Sequence, residues 1–131
     1  MKRLLTAVLL LATISVMAQK PVKLKIVYFH LERRCPTCIS IEENTKKTLN
    51  TYFAGKLKDG SITLQVLNAE DPKNQKIVEK YKAEGSALYL TKVNGINETT
   101  TDFTNFAFSY SRNQSEKFIA GLKAEIEKNL R

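Results

Sequence analysis

The chain has few of the residues from which most enzyme sites are built. Its 131 residues include no tryptophan, one histidine, two cysteines and two methionines. Because His30 is the only histidine, there is no Ser/His/Asp constellation, and no glycine-rich phosphate loop is present. The methionines are Met1 and Met17, so a copper site that recruits methionine is disfavoured. These absences leave the two cysteines as the main candidates for chemistry.

Internal repeats, low-complexity tracts and proline- or glycine-rich linkers are also absent, which predicts a single folded domain. Acidic residues are outnumbered, with 13 against 21 basic residues and a formal net charge of +8. The basic residues are spread along the chain and fall mostly on predicted helix faces. This distribution indicates a solvated surface, and we expect no nucleic-acid partner.

The first 18 residues have the layout of a secretory signal peptide. Two basic residues are followed by an almost entirely apolar run, and small residues end at Ala18. The run is shorter than the roughly 20 residues of a transmembrane helix, so cleavage is preferred to an uncleaved membrane anchor. We predict a signal peptide over 1–18, a domain over 19–131, a periplasmic or secreted location and no stable membrane insertion after cleavage.

Hydrophobic patterning predicts strands that alternate with helices, and Asn94-Gly95 predicts a tight hairpin. In the segment 105–111 the apolar residues fit the alternation of a strand and the spacing of a helix equally well, and we expect an irregular turn or a short helix there. The order β-α-β-α-β-β-α predicts an α/β fold with a central mixed sheet and helices on both faces. The predicted strands cover 23–29, 62–66, 87–93 and 96–103, and the helices run from 38 to near 55, from 72 to 84 and from 115 to 130.

Both cysteines lie in a Cys-Pro-Thr-Cys motif between the first strand and the first helix. Cys35 would lie at the helix N-terminus, where unpaired backbone N–H groups and the helix dipole stabilise a thiolate. Arg33 and Arg34 add positive charge, and such surroundings lower a thiol pKa from about 8.5 to roughly 3.5–7.5. Cys38, one turn later, can close on Cys35. We predict Cys35 as the nucleophile and Cys38 as the more buried, resolving thiol.

Two other interpretations of the motif stay open beside the redox one. Cys35, Cys38 and His30 could form a metal- or metalloid-binding module, since three protein ligands suit an open zinc site. The pair could also be a structural disulfide in a non-catalytic interaction domain. A ring of four residues stabilises a fold by only about 2 kcal/mol, which makes a purely structural bridge the weaker interpretation.

A strand, a Cys-x-x-Cys motif and a helix in this order resemble the thioredoxin fold over nearly the whole predicted mature chain. The letters YFH, RRCPTC and IE around the motif are similar to secreted thioredoxin-like proteins of the nitrophenyl compound nitroreductase subunit (ArsF-like) family. The resemblance implies a thiol-disulfide oxidoreductase that needs no cofactor and exchanges with a partner protein's disulfide or dithiol. As a periplasmic reductase it would need a membrane electron donor.

The chain departs from thioredoxins at the segment that faces the cysteines in that fold. Thioredoxins carry a cis-proline there, whereas this chain has Ala87 after Ser86. Because a cis bond without proline costs about 2.5–4 kcal/mol, we expect a trans bond. Ser86 and Ala87, together with Pro36 and Thr37 of the motif, form the expected substrate-binding surface.

The buried acid that lies under the motif in thioredoxins is also missing. Tyr28 or Phe29 occupies the corresponding part of the first strand. Proton transfer from Cys38 would then need Glu32, His30 or water.

Overall fold

The computed structural model describes residues 21–131, so the predicted signal peptide lies outside the described residues. A 3-10 turn at Pro72–Asn74 precedes the third helix. In chain order the helices and strands are β1 (Leu24–His30), α1 (Pro36–Tyr52), α2 (Ala54–Lys58), β2 (Ile62–Asn68), α3 (Gln75–Tyr81), β3 (Ala87–Asn94), β4 (Asn97–Asp102), α4 (Thr104–Tyr110) and α5 (Ser115–Asn129). None of the helices within this range has the length and apolar character needed to cross a membrane.

The four strands form one mixed sheet in the order β2-β1-β3-β4. β1 and β2 run parallel, with Leu24 opposite Ile62. β3 runs antiparallel to both β1 and β4, and the β3–β4 hairpin turns at Gly95, which has a φ of +62°. This strand order, with helices on both faces, is a thioredoxin-like fold. The predicted parallel first half, antiparallel second half and hairpin are therefore confirmed.

Alternate residues of β1 point into two separate hydrophobic cores. One side of β1 packs against α1, α4 and α5, and the other side packs against α3. Burying one large apolar side chain stabilises a fold by about 1.5–3 kcal/mol, so β1 is held firmly from both faces. The motif begins five residues after the end of β1 and is therefore attached to an inner strand that is buried on both faces. The buried β1 residues are Leu24, Ile26 and Tyr28 in the first core and Val27 and Phe29 in the second.

The helix ends differ from those predicted. α1 ends at Tyr52, and Phe53 has a non-helical backbone that separates it from the short helix α2. The second predicted helix is a 3-10 turn followed by α3, which ends at Tyr81 because Lys82 adopts a left-handed φ of 53°. Gly85, the predicted end signal, lies beyond that point.

The ambiguous segment 105–111 is mostly helical. α4 begins one residue earlier, at Thr104, and Asp102 accepts a hydrogen bond of 2.9 Å from the Thr104 backbone N–H. β4 ends at Asp102, one residue before the predicted end, because Phe103 begins the turn into α4. Phe106 and Tyr110, four residues apart on α4, both pack on the first core. The apolar residues of this segment therefore follow helical spacing and not the alternation of a strand.

Candidate functional site

The motif is built by the way in which α1 begins. Cys35 is the N-cap residue, with an extended backbone at φ −78° and ψ 158°, and Pro36 occupies the first helical position. Proline suits that position because it has no N–H group to leave unpaired. The Cys35 Sγ accepts a hydrogen bond of 3.0 Å from the Cys38 backbone N–H. The sulfur thus takes the place of the capping oxygen of serine or aspartate, at the end of the helix that favours negative charge.

Cys35 and Cys38 are joined by a disulfide, with 5.0 Å between their Cα atoms. Their exposure is unequal. Cys38 is only 6% exposed, whereas Cys35 is partly exposed and Pro36 beside it is exposed. An incoming thiol or disulfide can therefore reach the Cys35 sulfur more readily than the Cys38 sulfur.

Tyr28 lies beneath the motif on the same side of the sheet as α1. Its side chain is fully buried, and its hydroxyl donates a hydrogen bond of 2.8 Å to the Cys38 carbonyl. Burial raises the pKa of Tyr28 above its usual value, and the opposite effects of nearby Arg34 and Ser86 offset only part of this increase. Phe29 points into the core on the opposite face. Of the two aromatic residues considered for this position, Tyr28 therefore lies beneath the motif, and its hydroxyl is neutral at physiological pH.

The two arginines before the motif have different surroundings. Arg34 forms an ion pair with Glu42, which also binds Lys46 one turn further along α1. Burial alone would raise the pKa of Glu42, but the bonds from Lys46 and Arg34 outweigh it, and the pKa lies below its usual value. Arg33 is exposed. The charge of Arg34 is thus partly neutralised by a carboxylate. That the two arginines lower the pKa of the Cys35 thiol stays a prediction.

Ser86 is the side chain that reaches the sulfurs from outside α1. Its hydroxyl donates to the Cys38 Sγ at 3.7 Å. No cis peptide bond occurs within residues 21–131, so the Ser86–Ala87 bond is trans, as predicted. The Ala87 side chain is buried in the second core, away from the sulfurs. Ser86 and Ala87 also line a groove of about 370 Å³ to which the motif contributes no residue, and the substrate-binding role of Ser86, Ala87, Pro36 and Thr37 stays a prediction.

The groups considered for proton transfer have other partners. The Glu32 carboxylate accepts a hydrogen bond of 2.7 Å from the Asn68 side chain, and the His30 Nδ1 lies 3.0 Å from the Leu31 carbonyl oxygen. Within the described range, no group of three or more His, Cys, Asp and Glu side chains is arranged to hold a metal ion. The structure therefore does not bring His30 together with the cysteines into a three-ligand site.

Sequence reasoning missed two contacts of Cys38, those made by Tyr28 and by Ser86. The position of Tyr28 could have been inferred, because alternation along β1 places it on the same face as Leu24 and Ile26. For Ser86, the resemblance to thioredoxins placed its segment opposite the cysteines, but the bond from its hydroxyl to the Cys38 Sγ was not predicted.

The comparisons with known proteins add little to this geometry. No family model and no curated protein matches the chain. A solved structure described as the structure of a malarial protein is 16% identical, with a TM-score of 0.45, and the likeness covers 76% of this chain and 96% of that one. The strand order and helix placement given above define the fold, and nothing about function follows from this likeness.

Proposed function

We propose that the protein is a thiol-disulfide oxidoreductase in which Cys35 is the nucleophile and Cys38 the resolving cysteine. The observation that carries the proposal is the hydrogen bond of 3.0 Å from the Cys38 backbone N–H to the Cys35 Sγ. It gives the more exposed sulfur a donor at a helix N-terminus, and such surroundings lower thiol pKa values and increase the thiolate fraction.

The reaction proceeds in two exchanges. In the reducing direction, the Cys35 thiolate attacks a sulfur of a partner disulfide, the partner S–S bond breaks, and one partner thiolate leaves. Cys38 then loses its proton, and its thiolate attacks the Cys35 Sγ of the mixed disulfide. The second partner thiolate leaves, so the partner gains two electrons and the motif is oxidised to the disulfide. The same steps in reverse oxidise a partner dithiol.

The proposal includes a location and partners. The signal-peptide pattern of residues 1–18 supports a periplasmic or secreted location, and a disulfide is compatible with such an oxidising compartment. The partner is a protein disulfide or dithiol, and a reductase in the periplasm would be re-reduced by a membrane electron donor. The proposal includes kinship with the nitrophenyl compound nitroreductase subunit (ArsF-like) family, on the letters around the motif given above.

Trapping of mixed disulfides tests the proposal. Cys38→Ser should accumulate mixed disulfides with proteins of the producing cell, which dissolve on reduction, because the resolving thiol is gone. Cys35→Ser is the matched control and should accumulate none. Equal trapping by both variants, or none by either in an oxidising compartment, would contradict the assignment.

A further inference from the structure

The second exchange presents a problem that the first does not. Cys38 must become a thiolate, yet its side chain is only 6% exposed, and burial disfavours the charged form of a thiol. The carboxylates of Glu32 and Glu42 are engaged by Asn68 and by two basic side chains, respectively. These carboxylates could at most accept the proton, and a negative charge on the Cys38 sulfur needs a hydrogen-bond donor to stabilise it.

Ser86 is placed to do so. Its hydroxyl lies 3.7 Å from the Cys38 Sγ, within hydrogen-bond reach for a sulfur acceptor, and it donates to that atom. The backbone after Ser86 is fixed, because Ala87 is paired with Phe29 of β1 and the Leu88 N–H donates to the Thr104 hydroxyl at 3.0 Å. The sheet thus fixes the chain immediately after Ser86, which positions this residue beside the motif.

The other side of Cys38 is also held. The Tyr28 hydroxyl binds the Cys38 carbonyl at 2.8 Å and fixes the first turn of α1 against β1. The charged and titratable groups around this position include Arg34 before α1, Cys35 at its N-cap and Glu42 on α1, besides Tyr28 itself. His30 on β1 has its ring centroid 6.5 Å from that of Tyr28, and its Nδ1 lies 3.0 Å from the Leu31 carbonyl oxygen. Arg34 and Glu42 form an ion pair and Tyr28 is neutral, so they provide no unpaired charge for the sulfur.

We propose that Ser86 is a catalytic residue of the resolving step. Its hydroxyl keeps its proton and donates to the Cys38 sulfur, and this bond becomes charge-assisted, and so stronger, as the thiol proton passes to solvent. The Cys38 thiolate then attacks the Cys35 Sγ of the mixed disulfide. This inference rests on the function proposed above and adds a role for Ser86 besides substrate binding.

A symmetric aromatic disulfide, 5,5′-dithiobis(2-nitrobenzoate), separates the two exchanges, because each releases one coloured thiolate. Reduced wild type, Ser86→Ala, Ser86→Thr and Ser40→Ala are mixed with it in a stopped-flow instrument across a range of pH. The Ser40 hydroxyl donates to the Thr37 carbonyl at 3.0 Å, so Ser40→Ala removes a nearby hydroxyl that does not bind the sulfurs.

We expect Ser86→Ala to slow the second release by about three- to tenfold, the size expected for one lost hydrogen bond, and to move its pH midpoint upward. Because Ser86 also belongs to the predicted substrate-binding surface, Ser86→Ala should slow the first release less than the second. Ser86→Thr should retain most of the second rate, and Ser40→Ala should change neither release. These variants distinguish a role at the sulfur from a general loss of packing around the motif.

Four results would overturn the inference. An unchanged second release in Ser86→Ala, or equal slowing of both releases, would remove Ser86 from the resolving step. A second release that Ser86→Thr slows as much as Ser86→Ala does would show that shape and not the hydroxyl matters. If wild type shows no second release at all, the proposed function fails as well, and this outcome differs from the others because it needs no variant.

Discussion

The Tyr28 hydroxyl donates a hydrogen bond of 2.8 Å to the backbone carbonyl of Cys38, on the side of the motif that faces the core. This bond links the middle of the sheet directly to the first turn of α1. Because burial raises the pKa of Tyr28, the group beneath the resolving cysteine carries no charge at neutral pH. Charge that develops on Cys38 is therefore not opposed by a carboxylate at this position.

Tyr28→Phe should lower the free energy of unfolding of the oxidised protein by about 0.5–1.5 kcal/mol, since it removes one buried hydrogen bond to a carbonyl that lies within α1. Denaturant titration followed by circular dichroism measures the loss. Tyr52→Phe serves as the control, because Tyr52 is 50% exposed and should change stability little. Equal effects of the two substitutions would mean that the bond to Cys38 does not stabilise the fold.

In the reduced protein, Cys35 should react with iodoacetamide faster than Cys38, with a pKa below the value of about 8.5 for a free thiol. The N-cap bond stabilises the Cys35 thiolate, and burial protects Cys38. Mass spectrometry of peptides after short reaction times at several pH values measures both rates. Faster alkylation of Cys38 would reverse the two roles.

Gly121→Ala should be less stable than Gly55→Ala by about 1–3 kcal/mol. A Cβ at Gly121 would lie 2.3 Å from the Phe106 Cζ, and that ring is confined because it packs against Phe103 and Tyr110. Gly55 has open space around it and serves as the helical control. Thermal unfolding of both variants measures the difference, and equal stability would show that the Phe106 ring moves aside at little cost.

The architecture could be predicted because it depends on local patterns. Alternation in residues 62–66, helical spacing after Cys38 and the Asn94-Gly95 turn each specify one element, and together they allow few topologies. The position of Cys35 at the start of α1 was likewise predicted from the order of strand, motif and helix and is confirmed. These features depend on neighbours in the chain and not on distant contacts.

The end of α3 and the contact of Ser86 with the motif could not be predicted, because they depend on an uncommon backbone conformation and on tertiary contacts. α3 ends because Lys82 adopts a positive φ, a conformation that a lysine in the sequence does not indicate. The helix end predicted from Gly85 was therefore wrong. The contact of Ser86 with Cys38 joins residues 48 positions apart. Such a contact follows from strand register and from the entry into β3, which sequence patterning does not resolve.

Acid should weaken an ion-pair cluster that joins β1, α3 and β4. Lys25 and Lys80 bind Glu98, and their hydrogen bonds lower its pKa from 4.5 to about 2. Because the folded-state pKa lies below the unfolded one, this stabilisation is present above about pH 4.5 and disappears as the pH falls towards about 2. The pairs are partly exposed, so the effect should be modest and salt-sensitive.

Unfolding titrations at about pH 6 and about pH 2 measure this contribution. Glu98→Gln should lose less stability between the two conditions than wild type does, and high salt should narrow the gap. An equal loss in both proteins would show that Glu98 contributes nothing to the acid sensitivity of the fold.

The reduction potential of the Cys35–Cys38 pair tests the central claim most directly. It is measured by equilibrating the protein with glutathione or dithiothreitol redox buffers and quantifying the two free thiols. A redox-active pair should have a potential between about −270 and −120 mV, the range spanned by thiol-disulfide oxidoreductases. A potential well below about −300 mV is typical of a structural disulfide and would contradict the assignment of Cys35 as a catalytic nucleophile.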